Sequence, residues 1–205
     1  MNQPALIENA QTVDIASKAD MMRYHDPDRI QAYCRSCEKY GMFWSCPPFE
    51  EQPMTQLPEW THALLVTHKI RVEAGSTQEE LIEQFQAARQ ILGDMLLRWE
   101  DEGAVAVVAG HCFGCSVCTR PKDIPCIAPS RMRYSLEALG FDVTGLTEGL
   151  AGQTMHWPEN GRPDYLILVG VLLCPRLDLA MTLGDQVREE SSRQVSAKPL
   201  PPSKK

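Results

Sequence analysis

No apolar run in this 205-residue chain is long enough to cross a bilayer as a helix. The longest, Tyr165 to Cys174, has about half of the roughly 20 residues such a span needs, and it reads instead as a buried strand. An excess of positive charge is also missing, since 20 Lys and Arg against 27 Asp and Glu give a formal charge of -7. That balance argues against a nucleic-acid partner, which requires a basic face to displace counterions from phosphates. The first twenty residues have neither the basic start nor the apolar stretch of a secretory signal, so a cytoplasmic protein is expected. Neither a nucleophile–base pair nor a glycine-rich phosphate loop is present to argue for hydrolysis or phosphoryl transfer. The middle of the chain contains no low-complexity linker. The expectation is therefore one cysteine-rich domain over residues 1–185, followed by a polar tail, 186–205, with too little apolar surface to order.

What is present is an ordinary globular composition, 43% hydrophobic and 23% charged, that can bury a core without metals or disulfides to hold it. A short helix is expected from Asp26-Pro27, and the prolines from Pro47 to Pro58 mark a loop. His62 to His68 reads as a strand. Ser76-Thr77-Gln78-Glu79-Glu80 carries a capping-box pattern and opens a long amphipathic helix that ends at Gly103. Ala104 to Ala109 is a second strand, Pro129 to Leu139 a second long helix ending at Gly140, Phe141 to Val143 a short strand, and Asp164 to Leu173 the last strand. The alternation predicts an α/β fold, with a small, mostly parallel or mixed sheet of about four strands, helices, and cysteine-rich metal-binding loops.

The eight cysteines are therefore unexplained by stability alone. Cys112-Phe113-Gly114-Cys115-Ser116-Val117-Cys118 sets three thiols at intervals of three, which lets one tight loop turn three sulfurs around a compact cluster. Cys126 follows after seven residues, where a bacterial ferredoxin run would close after about three. A first group, Cys34, Cys37 and Cys46, offers only three thiols. Its fourth ligand is either Cys174, which ends the last strand, or absent, and in the second case one metal position stays open. The spacing favours iron–sulfur clusters of the 4Fe–4S type, one or two of them, over a four-thiolate zinc site or redox thiols. Cys174 is equally readable as a buried small hydrophobe. His111 is either a ligand or a structural residue. Arg35, Arg120, Lys122, Arg131 and Arg133 either offset cluster charge or form a solvated face.

Three segments carry a family resemblance: Cys34-Arg35-Ser36-Cys37, Tyr40-Gly41-Met42-Phe43-Trp44-Ser45-Cys46-Pro47-Pro48, and the run from Cys112 to Cys126. They resemble the predicted metal-binding proteins of domain-of-unknown-function family 2284, and the similarity continues through Ser135 to Val143. The resemblance implies metal binding through these cysteines and supplies neither substrate nor reaction. Two roles are expected from the cysteines themselves: electron transfer to a redox partner protein, or substrate binding at an incompletely ligated cluster. A zinc-stabilised interaction module is the remaining alternative. Both cysteine groups are expected on one side of the sheet, joined by Cys174 if its strand runs parallel to Ala104–Ala109.

Overall fold

The computed structural model describes residues 11–72, 75–156 and 163–196. Four strands form one sheet in the order β1-β2-β4-β3: β1 (Gln11–Ser17), β2 (His62–Arg71), β3 (Val105–Val107) and β4 (Tyr165–Cys174). Every neighbouring pair is antiparallel, which corrects the expected mostly parallel or mixed sheet. The reason lies in the crossover. β2 and β3 do point the same way on either side of the long helix α3 (Gln78–Arg98), but β4 inserts between them and runs against both. The strand–helix–strand unit is split.

Alternation along β2 and β4 feeds two apolar layers. Leu64, Val66, Leu168 and Leu172 face α3 and the C-terminal helix α5 (Leu177–Ser196), where they meet Leu92, Leu96, Leu183 and Val187. Leu65, Val169, Val171 and Leu173 face the opposite way, onto Phe141, Leu136 and Leu146 beside α4 (Val143–Ala151). The capping box of α3 is formed as expected, with Glu80 N–H donating to Thr77 at 3.1 Å and Thr77 N–H donating to Glu80 at 2.7 Å. The α-helix stops at Arg98, and a single 3₁₀ turn carries the chain to Gly103, whose φ of 90° is the left-handed terminator expected there. Two shorter helices precede β2: α1 (Lys18–Met22) and α2 (Pro27–Arg35), the latter capped by Asp26 as expected.

Four further expectations are corrected. β1 was not expected, because only Val13 and Ile15 carry its apolar alternation, too few to stand out in a polar stretch. The helix from Pro129 to Leu139 is a 3₁₀ turn, Pro129–Arg131, and then a tight turn in which Ala138 N–H donates to Ser135 Oγ at 3.2 Å; a serine so placed competes with helix formation. Phe141 makes only an isolated bridge with His25, and Asp142 caps α4 through Gly145 N–H at 3.1 Å, so the short strand is a helix start. The tail expected from Gln186 is helical as far as Ser196, because Val187 is fully buried against the sheet; residues 197–205 lie outside the described residues. Among the described residues no helix is long and apolar enough to cross a membrane.

Candidate metal centre

α2 delivers Cys34 in its last turn and Cys37 just beyond it, and a run of turns then carries the chain to Cys46. In the second group Gly110, at a φ of 67°, turns the chain out of the strand region into His111 and Cys112. The two groups share a local motif. Lys39 N–H donates to Cys37 Sγ at 3.4 Å, and Gly114 N–H donates to Cys112 Sγ at 3.3 Å, each two residues ahead of its sulfur. Backbone N–H groups aimed at sulfur favour the thiolate and tune a bound metal.

Cys112, Cys115, Cys118 and Cys126 all line one hollow, walled by Phe43, Trp44, Ser45, Ala128 and Met132. The wall therefore comes from both loops. Cys112 N–H donates to Ser45 Oγ at 2.9 Å, and the same hydroxyl hydrogen-bonds Cys46. Trp44 Nε1–H donates to the Ile124 carbonyl at 3.0 Å. Arg120 spans the junction, donating to the carbonyls of Phe43 at 2.8 Å, of Cys46 and of Pro48, with its guanidinium over the Trp44 ring. A residue read as cluster charge or solvated face is thus a brace. Arg133 is likewise engaged elsewhere, paired with Glu100.

Cys34, Cys37 and Cys46 act on one another electrostatically. Burial pushes the Cys46 thiol up to about 11, opposed by the Ser45 hydrogen bond and by Arg120, with Cys37 and Cys34 adding to the rise. Cys34 is raised by burial first, then by Glu137 and Cys37. A metal cation offsets such shifts, since coordination deprotonates a thiol outright. His111 stacks on Phe43 with centroids 4.1 Å apart and takes a hydrogen bond from Arg89 at 3.1 Å. Burial, with Arg89 and Lys39, lowers its pKa to about 4, so the ring is neutral at ordinary pH.

Cys174 belongs to the hydrophobic core. It is fully buried in the apolar layer under α3 and α5, its thiol faces the Leu172 carbonyl at 3.6 Å, and burial raises it to about 11. The condition for its joining the site was a parallel β3–β4 pair. In the antiparallel register Val105 lies opposite Leu173 and Val107 opposite Val171, so β3 leads toward Cys112 by moving away from the Cys174 end.

All eight cysteines are free thiols. Among the described residues no three His, Cys, Asp or Glu side chains are already gathered as a site for a metal ion. The donor set nonetheless fits a thiolate-bound metal: four cysteines round one hollow, with a backbone N–H directed at one of the sulfurs. A family model described as predicted metal-binding protein, DUF2284, matches residues 20–174. The chain belongs to this family. The matched span runs from within α1 to the end of β4 and contains all eight cysteines, so the DUF2284 region includes both groups and the loops that join them. No curated protein and no solved structure matches the chain.

Within this DUF2284 chain, sequence reasoning did not assign roles to Ser45 or Arg89. Ser45 sits inside the motif beside Cys46, and its type offered a hydrogen-bonding signal. Arg89 lies in the middle of α3, 22 residues before His111, and had no local signal.

Proposed function

We propose that this chain is an iron–sulfur protein in which Cys112, Cys115, Cys118 and Cys126 hold a 4Fe–4S cluster. The observation that carries this reading is that these four cysteines line the same hollow although seven residues, two of them prolines, separate Cys118 from Cys126 in sequence. Their triple spacing suits a cluster better than tetrahedral zinc, which commonly draws two ligands from each of two knuckles. A bound cluster supplies one-electron transfer. The chain's own residues supply the rest. Gly114 N–H is directed at Cys112 Sγ, Ser45 fixes the Cys112 backbone, and Phe43 and Trp44 wall the site on the side of the first group.

Cys34, Cys37 and Cys46 form a second centre. With Cys174 enclosed in the apolar layer, they contribute three thiolates and leave one position to an external ligand. The role that follows is a redox protein whose four-thiolate cluster exchanges electrons with a partner protein, beside a three-thiolate centre open to substrate. Val117 and Ile127 are 72% and 69% exposed around the second group, and such apolar side chains beside a cluster suit a protein partner.

Single replacements test the assignment. Cys112→Ser, Cys115→Ser and Cys118→Ser each abolish the cluster of the second group, because a serine oxygen is a harder and poorer partner for cluster iron. Cys174→Ser leaves the metal content unchanged in the folded protein. Iron content equal to wild type in all three loop variants contradicts the reading.

A further inference from the structure

Arg89 is a cation inside the protein. Its side chain enters from α3 and the residue is only 6% exposed, yet its Nε–H has no hydrogen-bond partner. One terminal nitrogen donates to His111 Nδ1 at 3.1 Å, and the guanidinium lies 5.7 Å from the centre of the Phe113 ring. Neither neighbour is an anion. His111 adjoins Cys112, whose N–H donates to Ser45 beside Cys46, so the hydrogen bonds that start at this cation lead to one cysteine of each group. An arginine stays charged in proteins, and a buried charge without a counter-ion is strongly destabilising. Such a residue in a folded chain calls for an anionic centre beside it.

We propose that Arg89 is the internal counter-cation of the metal centre, held against the turn that leads into Cys112 to be neutralised by the negative charge that metal-bound thiolates bring. The proposal rests on the cysteines binding metal, as argued above, and concerns a residue outside both cysteine groups. Loading a metal requires thiolates, and several thiolates on one ion or cluster leave a net negative charge. Arg89 then favours the loaded state and burdens the empty one. A residue that merely props up His111 would support both states alike.

The geometry around Arg89 suits a fixed charge. Gly110 has a φ of 67°, and a Cβ there would come within 3.2 Å of an Arg89 terminal nitrogen, so the turn that leads into Cys112 is shaped to the guanidinium. Phe113 rests on Gly93, one turn along the same helix face, where a Cβ would stand 2.0 Å from the ring. The second loop is thus seated on α3 at Arg89 and Gly93 together.

The test compares thermal unfolding of wild type, Arg89→Met and Arg89→Lys, each as purified anaerobically with its metal, after chelator stripping, and after reloading with Zn²⁺. Arg89→Met is expected to raise the Tm of the stripped protein and lower that of the loaded one, shrinking the metal-linked increment by about 4 °C or more. Arg89→Lys keeps the charge and retains the increment. Equal destabilisation of loaded and stripped Arg89→Met, with the increment intact, overturns the proposal and makes Arg89 a structural post. Should Arg89→Met not fold, a folded Arg89→Lys that has lost the increment overturns it equally. A wild type free of iron and sulfide contradicts the iron–sulfur reading alone, because the Zn²⁺ arm still tests Arg89.

Discussion

Ser45 is 1% exposed and joins the two cysteine groups through one oxygen, accepting from Cys112 N–H at 2.9 Å and hydrogen-bonding Cys46. Ser45→Ala leaves the Cys112 N–H without its acceptor and removes the bond that lowers the Cys46 thiol. The loss is expected to cost about 1 to 3 kcal/mol, the usual penalty for stranding a buried polar group. Denaturant unfolding checks the stability, and metal content checks that loading weakens at the same time. Stability and loading both equal to wild type would show that water or a neighbour replaces the hydroxyl. The motif around Ser45 was legible in sequence because its residues are contiguous. Arg89 was not, since its contacts with His111 and with the turn into Cys112 exist only after α3 has packed on the sheet.

α3 is the element that carries the site to the sheet. On its inner face Leu92 and Leu96 meet Gly170 of β4, and Gly93, next to Leu92, receives the Phe113 ring of the second cysteine loop. Gly93→Ala should gain about 1 kcal/mol from helix propensity alone. A Cβ 2.0 Å from Phe113 Cζ opposes this, and overpacking of that kind costs about 1 to 3 kcal/mol. Net destabilisation with reduced metal loading is therefore expected, relieved by adding Phe113→Ala; a more stable Gly93→Ala with full loading would show that the ring is not seated there. Elements with strong local signals were legible. Thr77 and Glu80 announce the start of α3, and the apolar runs of β2 and β4 announce central strands. Asp142 was misread because Phe141 and Val143 look strand-like on either side, while the carboxylate caps α4 and pairs with Arg29 at 2.6 Å. β1 was missed because it is an edge strand whose apolar alternation is carried only by Val13 and Ile15.

At the scale of the whole molecule, strand direction was the least legible property. The order strand–helix–strand suits a parallel pair, and nothing local announces that β4 will enter between β2 and β3 and reverse both pairings. Acid response is also a property of the folded whole. Burial lowers the pKa of His68, and burial with Arg89 and Lys39 lowers that of His111 to about 4. Below the ordinary histidine value near 6.5 the unfolded chain takes up protons that these folded rings refuse. Stability of the metal-free protein is thus full above about pH 6.5 and falls as the pH drops toward about 4. Urea midpoints measured across that range check the sign, and His68→Phe should flatten the slope; a midpoint that rises on acidification contradicts it. The central claim concerns what the cysteines hold, and iron and acid-labile sulfide analysis of the anaerobically purified full chain tests it most directly. The account predicts iron and sulfide in equal amounts, about four of each for the filled second group and more if the first group is filled too. Zinc without sulfide, or a folded protein with no metal at all, would contradict it.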